Sequence, residues 1–173
     1  MSLDIAPLDA AAAERELDAL ASILADAVEG GASVGFVIPF STVDATAWWR
    51  SLLPDVAAGR VLLLGAWAEG ALVGTVQLHP SVMPNGRFRA EVAKLLVHRS
   101  ARRQGIGRAL MDAVEALARE RGRTTLVLDT QTGSDAERLY RELGWTVAGV
   151  IPDYSLLSDG TRGATTYLYK LLE

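Results

Sequence analysis

The residues Leu95-Leu96-Val97-His98-Arg99-Ser100-Ala101-Arg102-Arg103-Gln104-Gly105-Ile106-Gly107-Arg108 combine an apolar run, a basic stretch and two glycines at the start of a helical pattern. That combination suits anion binding. The first turn of a helix carries N–H groups with no partner in the helix and a partial positive charge, and glycines let a ligand come up to the backbone. Arg99, Arg102, Arg103 and Arg108 add guanidinium donors suited to phosphate. A diphosphate fits such a segment, although glycines at helix starts and arginines in solvated loops are common, so the segment taken alone leaves both readings open. Two phosphate-binding alternatives fail on particular residues. A P-loop needs lysine and a hydroxyl residue after its last glycine, where Arg108-Ala109 stand, and a dinucleotide-binding turn needs a third glycine where Leu110 stands.

The elements that must position this segment are read from periodicity. Apolar residues at helical intervals predict a helix over 8–29, stopped by Gly30-Gly31, and a second over 41–58 with a kink or break at Pro54. Residues 61–68 and 71–79 form two apolar runs separated by Glu69-Gly70, which predicts an antiparallel hairpin. After the turn at Pro84-Asn85-Gly86, residues 87–97 are expected to be the central strand. A helix over 104–121, a strand over 124–129, a short helix over 134–143, and strands over 145–150 and 164–172 complete the reading. The pattern predicts a mixed α/β fold with helices on both faces of one sheet.

Composition narrows the function classes. At 173 residues the chain is expected to form one domain over 1–173. No apolar stretch is long enough to span a membrane and no export signal is evident, so a cytoplasmic protein without a membrane partner is expected. With no cysteine and two histidines, neither a disulfide framework nor a histidine-rich metal site is expected. A net charge of −4 argues against a surface built for nucleic acid.

Arg102-Arg103-Gln104-Gly105-Ile106-Gly107 resembles the acetyl-CoA motif [RQ]-x-x-G-x-[GA] of the GNAT acetyltransferase superfamily. Ala136-Glu137-Arg138-Leu139-Tyr140-Arg141-Glu142-Leu143-Gly144-Trp145 resembles that family's second motif, A-x-x-[LF]-Y-x-x-x-G-[FW]. The resemblance implies a GNAT fold, with a central, mostly antiparallel sheet of about six or seven strands and a splayed central strand. It implies that Leu95, Leu96 and Val97 offer backbone groups to the pantetheine arm, and that Arg102, Arg103, Gln104, Gly105, Ile106, Gly107 and Arg108 hold the pyrophosphate. Acetyl-CoA is then the cosubstrate and no metal is required. The chain is most similar to the tabtoxin-resistance acetyltransferase group, through Gly30 to Phe36, Pro84-Asn85-Gly86, Ala90-Glu91-Val92, Leu128-Asp129-Thr130 and Asp159-Gly160 before Tyr167. It departs from that group at Asp153 and at Arg162-Gly163, in segments expected to face the acceptor.

A protonated amine must lose a proton before it attacks a thioester. Glu91 precedes Val97 by six residues, about 20 Å along a strand, which is comparable to an extended pantetheine arm. By resemblance, Glu91 and Asp129 take the acid/base positions, and Tyr140 is placed to protonate the departing thiolate. Each carboxylate equally suits a substrate-ammonium site or a plain solvated position. The resemblance implies acetyl transfer to a small-molecule primary amine, either amino-acid-like or a β-lactam toxin or antibiotic, by a homodimer. Acetylation of a protein N-terminus or lysine, and acyl-CoA sensing without turnover, remain as alternatives.

Overall fold

The computed structural model describes residues 2–173. Seven strands form one sheet in the order β1-β2-β3-β4-β5-β7-β6. They are β1 (Leu3–Pro7), β2 (Leu62–Ala68), β3 (Ala71–Pro80), β4 (Arg89–Val97), β5 (Thr125–Gln131), β6 (Thr146–Leu156) and β7 (Arg162–Leu171). All neighbours run antiparallel except β4 and β5, which are parallel. The helices are α1 (Ala10–Arg15), α2 (Leu17–Glu29), α3 (Thr42–Ala57), α4 (Ile106–Glu120) and α5 (Asp135–Glu142).

Alternation along the strands gives each sheet face its own core. Val76, Leu78, Ala90, Val92, Leu126 and Leu128 pack against Ile106, Leu110, Met111 and Val114 of α4. On the opposite face, Leu63, Leu72 and Leu96 meet α1, α2 and α3 through Ala13, Leu20, Ile23, Leu24 and Trp49. Full burial of each such side chain contributes roughly 1.5–3 kcal/mol, so both helical layers are held firmly. Gly74 allows the close approach of α4, because a Cβ there would lie 3.1 Å from both Leu110 Cδ1 and the Leu96 carbonyl.

The expected mixed sheet with helices on both faces is present, and β4 is its central strand. Three details differ from the sequence reading. The helix expected over 8–29 is divided at Glu16, with Asp9 capping α1 by accepting the Ala12 N–H at 2.7 Å. The apolar period continues across the break and conceals it. β1 has no counterpart in the sequence reading, because its five residues are too few to show a period. α3 runs through Pro54 to Ala57; the proline lies in the final turn, where few bonds follow, and a Ser41/Asp44 capping box anchors the other end. Among the described residues no helix is long and apolar enough to cross a membrane.

Candidate active site

β4 and β5 pair only over Arg89↔Thr125, Ala90↔Leu126 and Glu91↔Val127. Beyond Glu91 the two strands part. On its other side β4 also slips register, from Ala93 opposite Gln77 to Leu96 opposite Thr75, leaving Lys94 and Leu95 without ladder partners. Lys94 has φ 53, the left-handed conformation that lets the extra residue be accommodated. The bulge and the parting strands turn backbone groups of β4 outward, into a cleft of about 630 Å³. The cleft is bounded by the Gly30 to Val34 loop, β4, the start of α4, the end of β5 and α5.

At one end of this cleft lies the N-terminus of α4. Its N-cap, Gly105, has φ 78 and supplies no side-chain cap, so the first-turn amides of Ile106, Gly107 and Arg108 have no side-chain acceptor there. Nothing lies within 4 Å of a Cβ built on Gly105, and the approach to those amides is open. All the residues assigned to the cofactor by sequence line the cleft except Gln104.

The arginines of this loop divide into two sets. Arg99 is turned away from the cleft: its backbone N–H donates to Asp26 Oδ2 at 2.9 Å, and its guanidinium binds Asp26 and Glu29. Arg102 donates from Nε to the Val97 carbonyl at 2.9 Å and from Nη2 to Asp26 at 3.3 Å, so its first task is to brace the loop. Burial raises the Asp26 pKa, but the hydrogen bonds from the Arg99 backbone and side chain, with the charges of His98 and Arg99, outweigh it and hold the carboxyl below its ordinary range. Asp26 therefore remains ionised and fastens the basic loop to α2. Arg103, with φ 61, faces the cleft, and Arg108 lines it while its Nη2 reaches Glu142 at 3.3 Å.

Toward the fork between β4 and β5 the cleft is lined by Lys94, Thr130, Gln131 and Tyr140, and Glu91 and Asp129 stand just beyond that lining. Glu91 stands on the last β4–β5 rung, and Asp129 pairs in register with Tyr167 of β7. Crowding by protein, then the negative charge of Asp129, push the Glu91 pKa above the ordinary carboxylate range; Lys94 opposes this. The Thr165 hydroxyl donates to Asp129 Oδ2 at 3.3 Å. Tyr140, on α5, is buried at the cleft wall, and burial followed by the Asp129 charge push its phenol well above the usual tyrosine range. The Asp129 charge acts on both Glu91 and Tyr140, while of the three residues named from sequence only Tyr140 lines the cleft itself. The Tyr154 and Tyr167 hydroxyls share a hydrogen bond at 2.5 Å, which with burial and nearby carboxylates raises Tyr167 to about 12.

These observations can be set against known proteins. A model described as the acetyltransferase (GNAT) family matches residues 17–145, which is well over half of the chain. The chain belongs to the GNAT acetyltransferase family. An N-acetyltransferase from Staphylococcus aureus Mu50 superposes with a TM-score of 0.81 at 18% identity, covering 100% of both chains. A ribosomal-protein-alanine N-acetyltransferase from Brucella melitensis gives 0.78 at 26% identity, covering 99% of this chain and 100% of the other. The yncA protein of Salmonella typhimurium, whose structure includes its cofactor acetyl-CoA, gives 0.75 at 20% identity over 100% of this chain and 95% of its own.

As a GNAT acetyltransferase the protein uses acetyl-CoA, and the cleft fits that molecule: uncapped amides and guanidiniums at one end, unpaired strand backbone along its length, and a carboxylate at the fork. Among the described residues no group of three or more His, Cys, Asp or Glu is placed to hold a metal ion. Lys94 was missed by sequence reasoning. Its Nζ lies 5.5 Å from the centre of the Trp48 ring, and burial lowers its pKa against the pull of Asp129 and Glu91. A lysine in an alternating strand reads as solvated, and only the bulge turns it to the site. Of the adjacent tryptophans, Trp49 is core, donating its indole N–H to the Leu20 carbonyl at 3.0 Å, while Trp48 packs edge-on against Phe36 beside Lys94.

Proposed function

We propose that the protein transfers acetyl from acetyl-CoA to the primary amine of a small, amino-acid-like acceptor, a class that includes the β-lactam amino-acid toxins of the tabtoxin-resistance group it resembles. The observation that carries this reading is the position of Glu91 on the last rung before β4 and β5 part, with Asp129 and Lys94 as its charged neighbours. Two carboxylates suit an ammonium group, and a lysine beside them suits an acid group on the same molecule. Bound acetyl-CoA supplies an activated acetyl thioester. Glu91 takes the amine proton, directly or through water, and its raised pKa makes it a stronger base than an ordinary carboxylate. Asp129 holds the ammonium before that step, and burial, aided by the Asp129 charge, keeps Tyr140 protonated, so that the phenol can donate to the leaving sulfur. Backbone N–H groups at the β4 bulge beside Leu96 stabilise the oxyanion, a contribution of about 3 kcal/mol for a well-placed donor. The amides of Ile106 to Arg108, with Arg103, hold the diphosphate.

The continuous seven-stranded sheet supports one catalytic domain over 1–173. We infer a homodimer, supported by β6, an edge strand on which Val150, Ile151, Tyr154 and Leu156 are all exposed.

A second reading is acetylation of a protein N-terminus, which the likeness to the Brucella melitensis enzyme at 26% identity favours. Thiol release from acetyl-CoA, measured with a panel of small amines, amino acids and peptides, separates the two. The proposal expects kcat/KM to be highest for acceptors that carry both an amine and an acid group. Faster turnover of peptides beginning with alanine, with no turnover of small amino acids, sinks it.

A further inference from the structure

A second concavity lies at the opposite end of α4, whose 15 residues separate it from the cofactor cleft by roughly 22 Å. It has a volume of about 490 Å³, within the range of small-molecule pockets. Its walls are the turn after α3, the end of β3, Arg87 before β4, and Arg121 and Arg123 after α4. Four arginines line it, Arg60, Arg87, Arg121 and Arg123, and no carboxylate does. In a chain with net charge −4 this is a local reversal of sign. Asp55 neutralises Arg60 at 2.6 Å from outside the lining. Arg87, Arg121 and Arg123 have no ion pair among the described residues.

Two features separate this cluster from a solvated basic surface: one of its guanidiniums is fixed, and arginines from three segments converge without a carboxylate among them. Arg123 is fixed, with Nη1 donating to the carbonyls of Ser81 at 3.3 Å and of Arg87, while its buried Nε–H has no acceptor. With Nη1 held by two carbonyls, the Arg123 guanidinium is fixed in place at the pocket wall rather than free to swing into solvent. Arg121 caps α4, and the negative end of the helix accounts for one cation there. It does not account for Arg87, which comes from the turn before β4, or for the absence of carboxylates. Planar guanidiniums match phosphate oxygens in pairs. The concave shape favours a compact ligand over the extended backbone of a nucleic acid.

We propose that this pocket binds the polyphosphate chain of a small molecule, as a free di- or triphosphate or as part of a nucleotide, at a site separate from that of acetyl-CoA. The test is calorimetric titration of inorganic triphosphate, and in a parallel arm of ATP, into protein saturated with acetyl-CoA. One site per chain is expected, weakening as salt is added. Similar affinity for the two ligands means that the phosphate chain suffices, and tighter ATP binding means that the nucleoside is also held; both support the proposal. Replacing the exposed pair, Arg87→Ala with Arg121→Ala, is expected to weaken binding by about tenfold or more and to leave the acetyl-CoA thermal shift intact. Arg103→Glu, in the cofactor loop, is expected to leave triphosphate binding unchanged. No heat of binding, equal affinity in the double variant, loss in Arg103→Glu, or tighter binding of a short DNA duplex at the same arginines overturns the proposal.

Discussion

At the Gly105 end of the cleft the groups on offer are backbone amides from one contiguous segment, whereas around the β4–β5 fork the candidate groups are side chains on β4, β5, β7 and α5. The first end needs only a left-handed glycine and a helix start, so short sequence spacing defines it. The second depends on where strands pair and where they cease to pair. The difference teaches that cofactor binding and acceptor chemistry can be perturbed separately, because no residue proposed to hold the diphosphate also serves as the base.

Glu91→Gln tests that separation most severely. Turnover is expected to fall by about 10²- to 10⁴-fold, the usual worth of a positioned base, with the acetyl-CoA thermal shift unchanged. A lost shift would show that the two ends are one unit. Gly105→Glu attacks the other end. A side chain at φ 78 is strained and its charge opposes the diphosphate, so acetyl-CoA affinity by calorimetry is expected to drop by about 10- to 100-fold, while kcat at saturation changes little. Tyr140→Phe is expected to lower kcat by about tenfold, below the usual 10²- to 10⁴-fold worth of a positioned acid, because a thiolate leaves readily without one. Equal loss in binding and turnover would move Tyr140 to the cofactor side of the comparison.

The smallest effect is a shift in pH dependence. The base must be ionised, so kcat/KM is expected to rise with pH through a limb lying above the ordinary carboxylate range, as the raised Glu91 pKa requires. Asp129→Asn removes one of the charges that raise it, and the limb is expected to move to lower pH. A limb that moves upward would assign the proton transfer elsewhere.

Most strands and the long helices were legible because each is long enough to display a period: α4 carries Ile106, Leu110, Val114 and Ala118 on one buried face, and the β2–β3 hairpin declares its turn at Glu69-Gly70. β1 was too short, and the break at Glu16 preserved the helical period. In the site, Gly105 and Gly107 announced themselves. The division of labour among the arginines did not. Arg99 and Arg102 read as phosphate ligands, yet Asp26, more than seventy residues earlier in the chain, engages both.

By itself the sequence determined the segment whose amides can meet a diphosphate, since the requirements are local: glycine at a left-handed position and a helix that follows at once. The family resemblance also named Glu91, Asp129 and Tyr140 as candidates. Only the tertiary structure decided that β4 and β5 part immediately after Glu91, that a bulge turns Lys94 into the cleft, and that four arginines from three segments face one pocket. Those arrangements follow from strand register and packing between distant segments, which no run of neighbouring residues encodes.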